Sequence, residues 1–435
     1  MFEEAIDMQL VKEEKSTANG YNLHVIQSKK FKTINVVVKL KAPLNRETVT
    51  QRALLPYILQ QGTTNYPSSR SLRTALDDLY GAVLNIDSGK KGENHVISIR
   101  MEFANESYLS SKDDIMKRAM ELLNEIIFHP KSTGESFDAK LVNREKQTLK
   151  QKIDSVIDDK MSYANMRLID EMCANEPYQL HIHGYLDDLE SINERNLFEY
   201  YRRLLVEDQL DIYVLGDLTG KDVNQLVEAN FSREMKDAIQ DNQPVQKEIE
   251  KVNEIVEAQN VQQGKLHLGF RTNITYSDSE YAALQVFNGI FGGFPSSKLF
   301  MNVREKHSLA YYAASRIESH KGLLFVFSGI APSDYQKAKE IILEQMDAMK
   351  QGDYSDEQLE ETKTMVVNQL QETMDNPQGI IELLYQKVLG KSNIAPDELI
   401  NSIQQVSEQD LIKVGEKIEL DTVYFLTSEG GSMNE

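Results

Sequence analysis

The predicted strands and helices follow one another in the same order in both halves of the chain. This repeat limits the possible folds more strongly than any other feature of the sequence. The segment YPSSR at 66–70 matches FPSSK at 294–298, which lies 228 residues further on, and a short helix and two strands are predicted after each copy. FDAKL at 137–141 and SDEQL at 355–359 each begin a long predicted helix. Short polar helix starts also resemble one another by chance, but the shared order favours a duplication of one structural unit.

The spacing of apolar residues predicts the elements of each half. Runs rich in β-branched residues predict strands, whereas apolar residues three or four positions apart predict helices. In the first half, strands are predicted over 21–27, 31–40, 82–87, 95–102 and 210–215, and helices over 47–61, 71–79, 113–128 and 137–161. In the second half, strands are predicted over 265–270, 311–317, 323–328 and 422–426, and helices over 277–291, 334–350 and 355–373.

The chain of 435 residues is long enough for two or three domains. An N-terminal lobe is predicted over 1–228 and a C-terminal lobe over 261–435. Between them, 229–260 is polar, contains a lone Pro244 and shows no clear apolar face, which predicts a solvated linker. Because most predicted strands are joined in hairpin-like pairs, each lobe is expected to be α+β, with a mostly antiparallel sheet packed with helices.

The negative net charge of the chain limits the classes of partner that it is expected to bind. The formal net charge of −20 repels phosphate backbones and anionic lipid surfaces, so neither nucleic acid nor a membrane is expected, whereas cationic peptides are compatible with it. The N-terminus shows no signal peptide, and no apolar stretch approaches the roughly 20 residues that span a bilayer. The single cysteine, Cys173, allows no internal disulfide. A cytoplasmic location is therefore predicted.

Residues 292–315, GGFPSSKLFMNVREKHSLAYYAAS, resemble a signature segment of the pitrilysin/insulinase family of zinc peptidases, also called inverzincins. The likeness is closest to the processing-peptidase subgroup, whose pattern runs Gly-Gly, Ser-Arg-Leu, Arg-Glu and Leu-Ala-Tyr. The sequence QQGT at 60–63, after the first predicted helix, fits the same family. The resemblance covers nearly the whole chain and implies a pitrilysin/insulinase-like fold of two tandem homologous lobes.

Active members of that family bind zinc through H-x-x-E-H on a helix, where two imidazoles on one face converge on the ion and the Glu acts as general base. The matching positions here, 53–57, read Ala-Leu-Leu-Pro-Tyr, and no H-x-x-E-H or H-E-x-x-H occurs elsewhere in the chain. Ala53 offers no lone pair to a metal, and Pro56 replaces the general base. Tyr57 would have to ionise well below its ordinary pKa of about 10. The resemblance therefore implies a degenerate metal site.

The third zinc ligand of the family comes from a later helix, matched here by 141–154. In this alignment Glu145 is the outer carboxylate of the family, and the ligand position falls on Lys152, whose ammonium would repel a divalent cation. The separation from 53–57 is longer than the family usually shows, which leaves the alignment of this helix open.

Arg304 and Tyr311 are the residues with the strongest functional interpretation. In two-subunit members of the family, the catalytic subunit can lack an Arg/Tyr pair that its silent partner supplies. By resemblance, Arg304 and Tyr311 would hydrogen-bond the substrate carbonyl and stabilise the oxyanion, with Tyr312 in place of Tyr311 if the alignment shifts by one. A structural ion pair and a core tyrosine are the alternative interpretation.

Two further features have both a functional and a structural interpretation. Gly292 and Gly293 match the glycine-rich, substrate-facing loop of silent processing-peptidase subunits, and an ordinary helix C-cap explains them as well. His181 and His183 would share one face of a strand, as metal ligands could. No carboxylate or cysteine lies at ligand spacing, so a turn that leads into a helix is favoured there.

The sequence therefore predicts the non-catalytic subunit of a heterodimeric zinc peptidase. Such a subunit would bind peptide and supply Arg304 and Tyr311 to a homologous partner that carries H-x-x-E-H and the zinc. This chain would bind no cofactor and cut no peptide on its own. A non-enzymatic peptide-binding or scaffold protein with the same fold is the alternative. A hydrolase built around His181, His183 or His307 is a third hypothesis, which no residue spacing supports.

Overall fold

The computed structural model describes residues 11–18, 20–110, 113–235, 247 and 249–428. These residues form two compact units. The first takes in the described residues up to Ile153, those from His181 to Asn242, and the segment Asp375–Glu382. The second takes in Asp154–Leu180, the described residues of Gln243–Met374, and those from Leu383 onward. Each unit thus combines most of one half of the chain with a short segment of the other half.

The first unit is built on a six-stranded sheet in the order β1-β2-β6-β3-β5-β4. Strands β2 and β6 run parallel, and the other neighbours run antiparallel. Val36 and Val38 of β3 face the helices and form part of the core, whereas the intervening residues alternate to the other face. The strands are β1 (Glu13–Ala18), β2 (Tyr21–Gln27), β3 (Thr33–Pro43), β4 (Val83–Lys91), β5 (Asn94–Ala104) and β6 (Gln209–Gly216).

The helices of the N-terminal half begin at residues whose side chains cap them. Ser68 and Asn193 each form a capping box, and the carboxylate of Asp114 accepts a hydrogen bond from the Lys117 amide at 3.1 Å. The helices are α1 (Val49–Leu59), α2 (Ser69–Asp77), α3 (Ile115–Phe128), α4 (Ala139–Asp158), α5 (Lys160–Met172), α6 (Leu186–Ser191), α7 (Glu194–Glu207) and α8 (Val223–Phe231).

The second unit is built on a five-stranded sheet in the order β7-β11-β8-β10-β9, in which only β7 and β11 run parallel. Its strands are β7 (Asn253–Gln259), β8 (Gly264–Arg271), β9 (Ala310–Glu318), β10 (Leu323–Ile330) and β11 (Glu419–Ser428). The remaining helices are α9 (Tyr281–Asn288), α10 (Tyr335–Lys350), α11 (Asp356–Met374), α12 (Pro377–Leu389), α13 (Pro396–Gln404) and α14 (Glu408–Lys417).

The two sheets repeat one topology. When β1 is set aside, β2-β6-β3-β5-β4 corresponds strand for strand to β7-β11-β8-β10-β9, and the one parallel pair lies at the same place in each. Each sheet packs its apolar face against helices around its own core. The predicted α+β fold with two homologous lobes is confirmed.

Two departures from the predicted elements have local causes. The single helix predicted over 137–161 is two helices, because Asp159 interrupts it and caps α5 by accepting from the Met161 amide at 3.2 Å. Within 229–260, the range predicted as a linker, Asn253–Gln259 form β7. This strand is mostly exposed, so its sequence lacks the apolar alternation that would have predicted it.

The segments that come from the opposite half of the chain are held by ion pairs in which at least one partner is buried. In the second unit, α5 packs Ala164, Leu168 and Met172 onto the sheet, and the following Glu176 meets Arg271 with Nη2 2.5 Å from Oε1. In the first unit, Glu382 accepts from the fully buried Lys39 with Oε1 2.5 Å from Nζ. Charge pairing out of water thus fixes both segments.

Candidate functional site

Helix α1 carries the five positions that match the zinc motif, and its structure explains why they cannot hold a metal. Ala53 is 2% exposed and belongs to the apolar core, and Pro56 lies buried within the helix, where it has no N–H to donate to the preceding turn. At the helix end, Gln60 Nε2 donates to the carbonyls of Pro56 and Ile86, each at 2.9 Å, which ties α1 to β4. The face of α1 that carries Ala53 and Tyr57 therefore packs in and against the apolar core.

Tyr57 is held as a neutral phenol. Burial, together with the nearby carboxylate of Glu145, raises its pKa above the ordinary value. Glu145 is itself buried and accepts from Arg144 Nε at 2.7 Å. A phenolate ligand needs the opposite shift, so Tyr57 does not fit a zinc ion.

Lys152 lies two helical turns after Glu145 on α4, on the same face of the helix. Burial, then the charges of Lys152 and His181, lower the pKa of His183 to about 4. If the alignment of this helix holds, the position of the family's ligand carries an ammonium beside a neutral imidazole. Among the described residues, no group of three or more His, Cys, Asp or Glu side chains could hold a metal. The residues of this site do not fit zinc.

His181 and His183 lie in a turn that leads into α6, as the favoured interpretation predicted, and not on a strand. The ring of His181 stacks on Tyr185 with centroids 4.9 Å apart, and the Arg46 guanidinium lies 4.0 Å from the Tyr185 centroid. The Tyr185 amide donates to Thr50 Oγ1 at 3.0 Å, which ties the turn to α1. The turn is a packed structural element.

The buried His183 should make the protein less stable in acid. Its folded-state pKa of about 4 lies below the ordinary value of about 6.5, so between these values the unfolded chain binds the extra proton. The stabilisation is present above pH about 6.5 and is lost as the pH falls toward 4. Urea midpoints should fall over this window, and the fall should be shallower in His183→Gln. Equal pH slopes for the two proteins would contradict this assignment.

Arg304 lies in a π-helical segment, Phe300–Lys306, and its guanidinium is open to solvent. The guanidinium carbon lies 4.5 Å from the centroid of the Phe300 ring, and Nε is 3.5 Å from Glu305 Oε1. The side chain is 42% exposed, so the stack holds the charge in place without covering it. Sequence reasoning missed Phe300, although its position four residues before Arg304 is a spacing at which helical side chains meet.

Tyr311 projects from a β-bulge on β9, the last strand in the order of its sheet. Ala310 pairs with Ile330 and Tyr312 pairs with Gly329, so Tyr311 is the extra residue, and it is 78% exposed. Bulges redirect side chains in this way and are frequent beside active sites. The segment Phe300–Lys306 packs against β9, so adjoining elements position Arg304 and Tyr311.

Tyr312, the alternative to Tyr311, has a different environment. Burial, then the charge of Asp159, raises its pKa to about 12, and Lys265 Nζ lies 5.5 Å from its ring centroid. Its hydroxyl is buried without a hydrogen-bond partner among the described residues. Of the two tyrosines, only Tyr311 presents its hydroxyl side to solvent.

Gly292 and Gly293 lie in a π-helical turn, Gly289–Gly293, that continues α9. A Cβ on Gly292 would lie 2.7 Å from the Ser315 amide nitrogen, so this glycine permits close packing on β9. A Cβ on Gly293 would lie 2.9 Å from Asn288 Nδ2. The structure thus places both glycines in a helical turn. His307 lies exposed in the turn that follows Arg304.

Comparison with known proteins identifies the family. Residues 191–366 match the family model described as the peptidase M16 inactive domain. The probable inactive metalloprotease YmfF of Bacillus subtilis is 46% identical over 427 residues, which cover 98% of this chain and 100% of that protein. The chain belongs to the M16 peptidase family. The resemblance derived from 292–315 is therefore confirmed, and within M16 the chain is an inactive-type member homologous to YmfF.

Solved structures support the same assignment. A conserved protein from Enterococcus faecalis V583 superposes with a TM-score of 0.88 at 35% identity, covering 97% of this chain and 100% of its own. The peptidase M16 inactive domain from Pseudomonas fluorescens gives a TM-score of 0.80 at 14% identity, covering 97% and 99%, which shows a shared fold. In the described part of this M16 chain, no helix is both long and apolar enough to cross a bilayer.

Proposed function

We propose that this chain is the non-catalytic subunit of a heterodimeric zinc peptidase, located in the cytoplasm, and that it binds peptide for a partner carrying H-x-x-E-H. The observation that carries the proposal is the exposure of Tyr311 on a β-bulge. In a member of an inactive branch, a large aromatic side chain is held 78% exposed on β9, and the segment that carries the stacked, half-exposed Arg304 packs against this strand. The positions 53–57, by contrast, are filled by core residues.

The chemistry of Arg304 and Tyr311 suits a peptide carbonyl. A guanidinium and a phenol both donate hydrogen bonds to an oxygen that gains negative charge, and the Phe300 stack fixes the guanidinium before the ligand arrives. An extended peptide can pair with the edge of β9, where Tyr311 projects. Zinc would be held by the partner, since Ala53, Pro56, Tyr57 and Lys152 do not fit it.

The proposal is tested by reconstituting the chain with an H-x-x-E-H-bearing M16 protein from the same cell. Arg304→Ala should lower kcat/KM of the pair by roughly 10²–10³-fold, the usual cost of removing one oxyanion donor. The matched control is Arg316→Ala, since Arg316 is also an exposed arginine and lies on the adjoining strand β9. Unchanged activity in Arg304→Ala, or an equal loss in both variants, would overturn the proposal.

The isolated chain provides a second measurement. It should contain no stoichiometric zinc and cleave no peptide. Peptide binding by the isolated chain, with no M16 protein co-purifying from native cells, would favour the alternative of a non-enzymatic peptide-binding or scaffold protein. Zinc-dependent cleavage by the isolated chain would exclude both hypotheses.

A further inference from the structure

Among the described residues, the first sheet has one strand, β1, without a counterpart in the second sheet. β1 is the outermost strand, and it pairs antiparallel with β2 from Glu13↔Ile26 to Ala18↔Tyr21. Its sequence, EEKSTA, contains no large apolar side chain, and every residue after Glu13 is exposed. β1 is therefore held by backbone pairing and by polar side-chain contacts rather than by burial of apolar surface. One of these contacts is the hydrogen bond of 2.9 Å from Thr17 Oγ1 to Asn22 Oδ1, and the others are made by Glu13 and Ser16.

On the face of the sheet opposite to the helices, β1 is attached through a buried imidazole. Glu13 Oε1 lies 2.7 Å from His24 Nδ1, and Asp211 Oδ1 on β6 lies 3.4 Å from His24 Nε2. Asp211 is fully buried, His24 is 3% exposed, and the side chain of Glu13 is 6% exposed. The Tyr213 ring stacks on the imidazole with centroids 4.1 Å apart. His24 thus bridges the added strand to the interior of the sheet.

On the face of the sheet toward α8, a cavity of about 720 Å³ lies between β1 and the loop that enters α8, and Glu14 and Ser16 line this cavity opposite Leu218 and Asn224. The contact across it is a hydrogen bond of 3.4 Å from Ser16 Oγ to Asn224 Oδ1. The stability of β1 on the sheet therefore depends strongly on the Glu13–His24–Asp211 contact.

Two carboxylates face one imidazole in this contact, so both of them attract a proton on His24. Burial alone would lower the pKa of His24, but hydrogen bonds with Asp211 and Glu13 outweigh it and raise the pKa above the ordinary value. The other charged groups near the contact are Lys15, 3.3 Å from Glu13 Oε2, Lys39, in register with Asp211, and Arg233, whose charge interacts with Asp211.

We infer that β1 is a proton-controlled edge strand: protonated His24 holds β1 on β2, and loss of the proton weakens this attachment, so that β1 leaves the edge of β2 more often. Release of β1 removes Glu13 from the imidazole, whereas Asp211 on β6 stays beside it. The contact with Glu13 therefore makes the attached state bind the proton more tightly than the detached state. Attachment is strongest at low pH and weakens as the pH rises through the raised pKa of His24 in the attached state.

Hydrogen exchange of the full chain tests this inference. After correction for intrinsic exchange rates, protection of the amides of 13–18 and 21–27 should fall by roughly tenfold or more between about pH 6 and pH 8.5. Glu13→Gln should lower that protection by roughly tenfold at pH 6 and make it independent of pH. Glu14→Gln is the matched control, because Glu14 is an exposed neighbour on the same strand, and it should behave as wild type.

Trypsin cleavage after Lys15 gives an independent measurement. Cleavage at about pH 7 should be faster in Glu13→Gln than in Glu14→Gln, because the peptide bond must leave the sheet to enter the protease. Wild-type protection that does not change with pH, or equal protection and cleavage in the two variants, would overturn the inference.

Discussion

Replacing Arg271 by methionine should destabilise the second unit by about 3–5 kcal/mol, the usual cost of removing one partner from a buried ion pair. Arg271 is 3% exposed, and its Nε lies 2.6 Å from Asp421 Oδ2 while Nη2 lies 2.5 Å from Glu176 Oε1. Nη2 also donates to the Met172 carbonyl at 3.0 Å. The substitution would leave two buried carboxylates and a helix-end carbonyl without their donor.

The contacts that would remain around Glu176 and Asp421 determine how much stability is lost. Burial alone would raise the pKa of Glu176, but hydrogen bonds from Arg271 and Lys321 outweigh it and hold the pKa below its ordinary value. Lys321, 2.7 Å from Glu176 Oε2, would remain, whereas Asp421 would keep the hydroxyl of Thr422, which carries no charge. Urea unfolding followed by circular dichroism measures the change. Arg316→Met, at an exposed arginine of the same unit, should cost less than about 0.5 kcal/mol. A similar cost for both variants would show that the buried network contributes little.

Gly184→Ala should destabilise the first unit by roughly 3 kcal/mol or more. Gly184 has a φ of +75°, where a side chain costs about 1 kcal/mol. In addition, its Cβ would lie 2.6 Å from the Cα of Thr50 on α1, and backbone cannot move aside without shifting the helix. The substitution should therefore separate the His181–His183 turn from α1.

Gly81 offers a close control for this prediction. It has the same φ of +75°, but a Cβ there would meet nothing within 4 Å. Gly81→Ala should therefore cost only the conformational part, about 1 kcal/mol. The difference between the two unfolding free energies isolates the contact with Thr50. Two equal losses would mean that the turn relaxes away from α1 at little cost.

The sequence predicted most strands and long helices because their apolar spacing is strong. β3, β5 and β8 carry continuous or alternating β-branched and aromatic residues, and each is present at nearly the predicted bounds. β1 could not be predicted in this way, because its polar sequence pairs only through the hairpin with β2. The packing of α5 on the second sheet could not be predicted either, since an apolar helix face does not indicate which sheet will cover it.

At the candidate site, the sequence predicted the residue types but not their exposure. It did not decide which of Tyr311 and Tyr312 is the functional residue, because a strand pattern places neighbours on opposite faces without showing which face is solvated. The bulge at Tyr311 depends on the pairing of β9 with β10, which is a non-local property. At the metal-site positions, Ala53 and Pro56 excluded metal chemistry from their side chains alone, whereas the burial that now surrounds them is a property of the fold.

The segment Asp375–Glu382 belongs to the first unit, although more than 130 residues separate it from the remainder of that unit in sequence. Glu382 pairs with Lys39 and also lies 3.5 Å from Lys91, so two charged strand residues near the N-terminus lack this partner during most of translation. At ordinary elongation rates of about 5–20 residues per second, many seconds pass before residue 382 leaves the ribosome. The first unit therefore reaches its final packing only late in synthesis. In a truncated chain that ends before residue 375, Lys39 would lack the Glu382 carboxylate with which it pairs in the full chain.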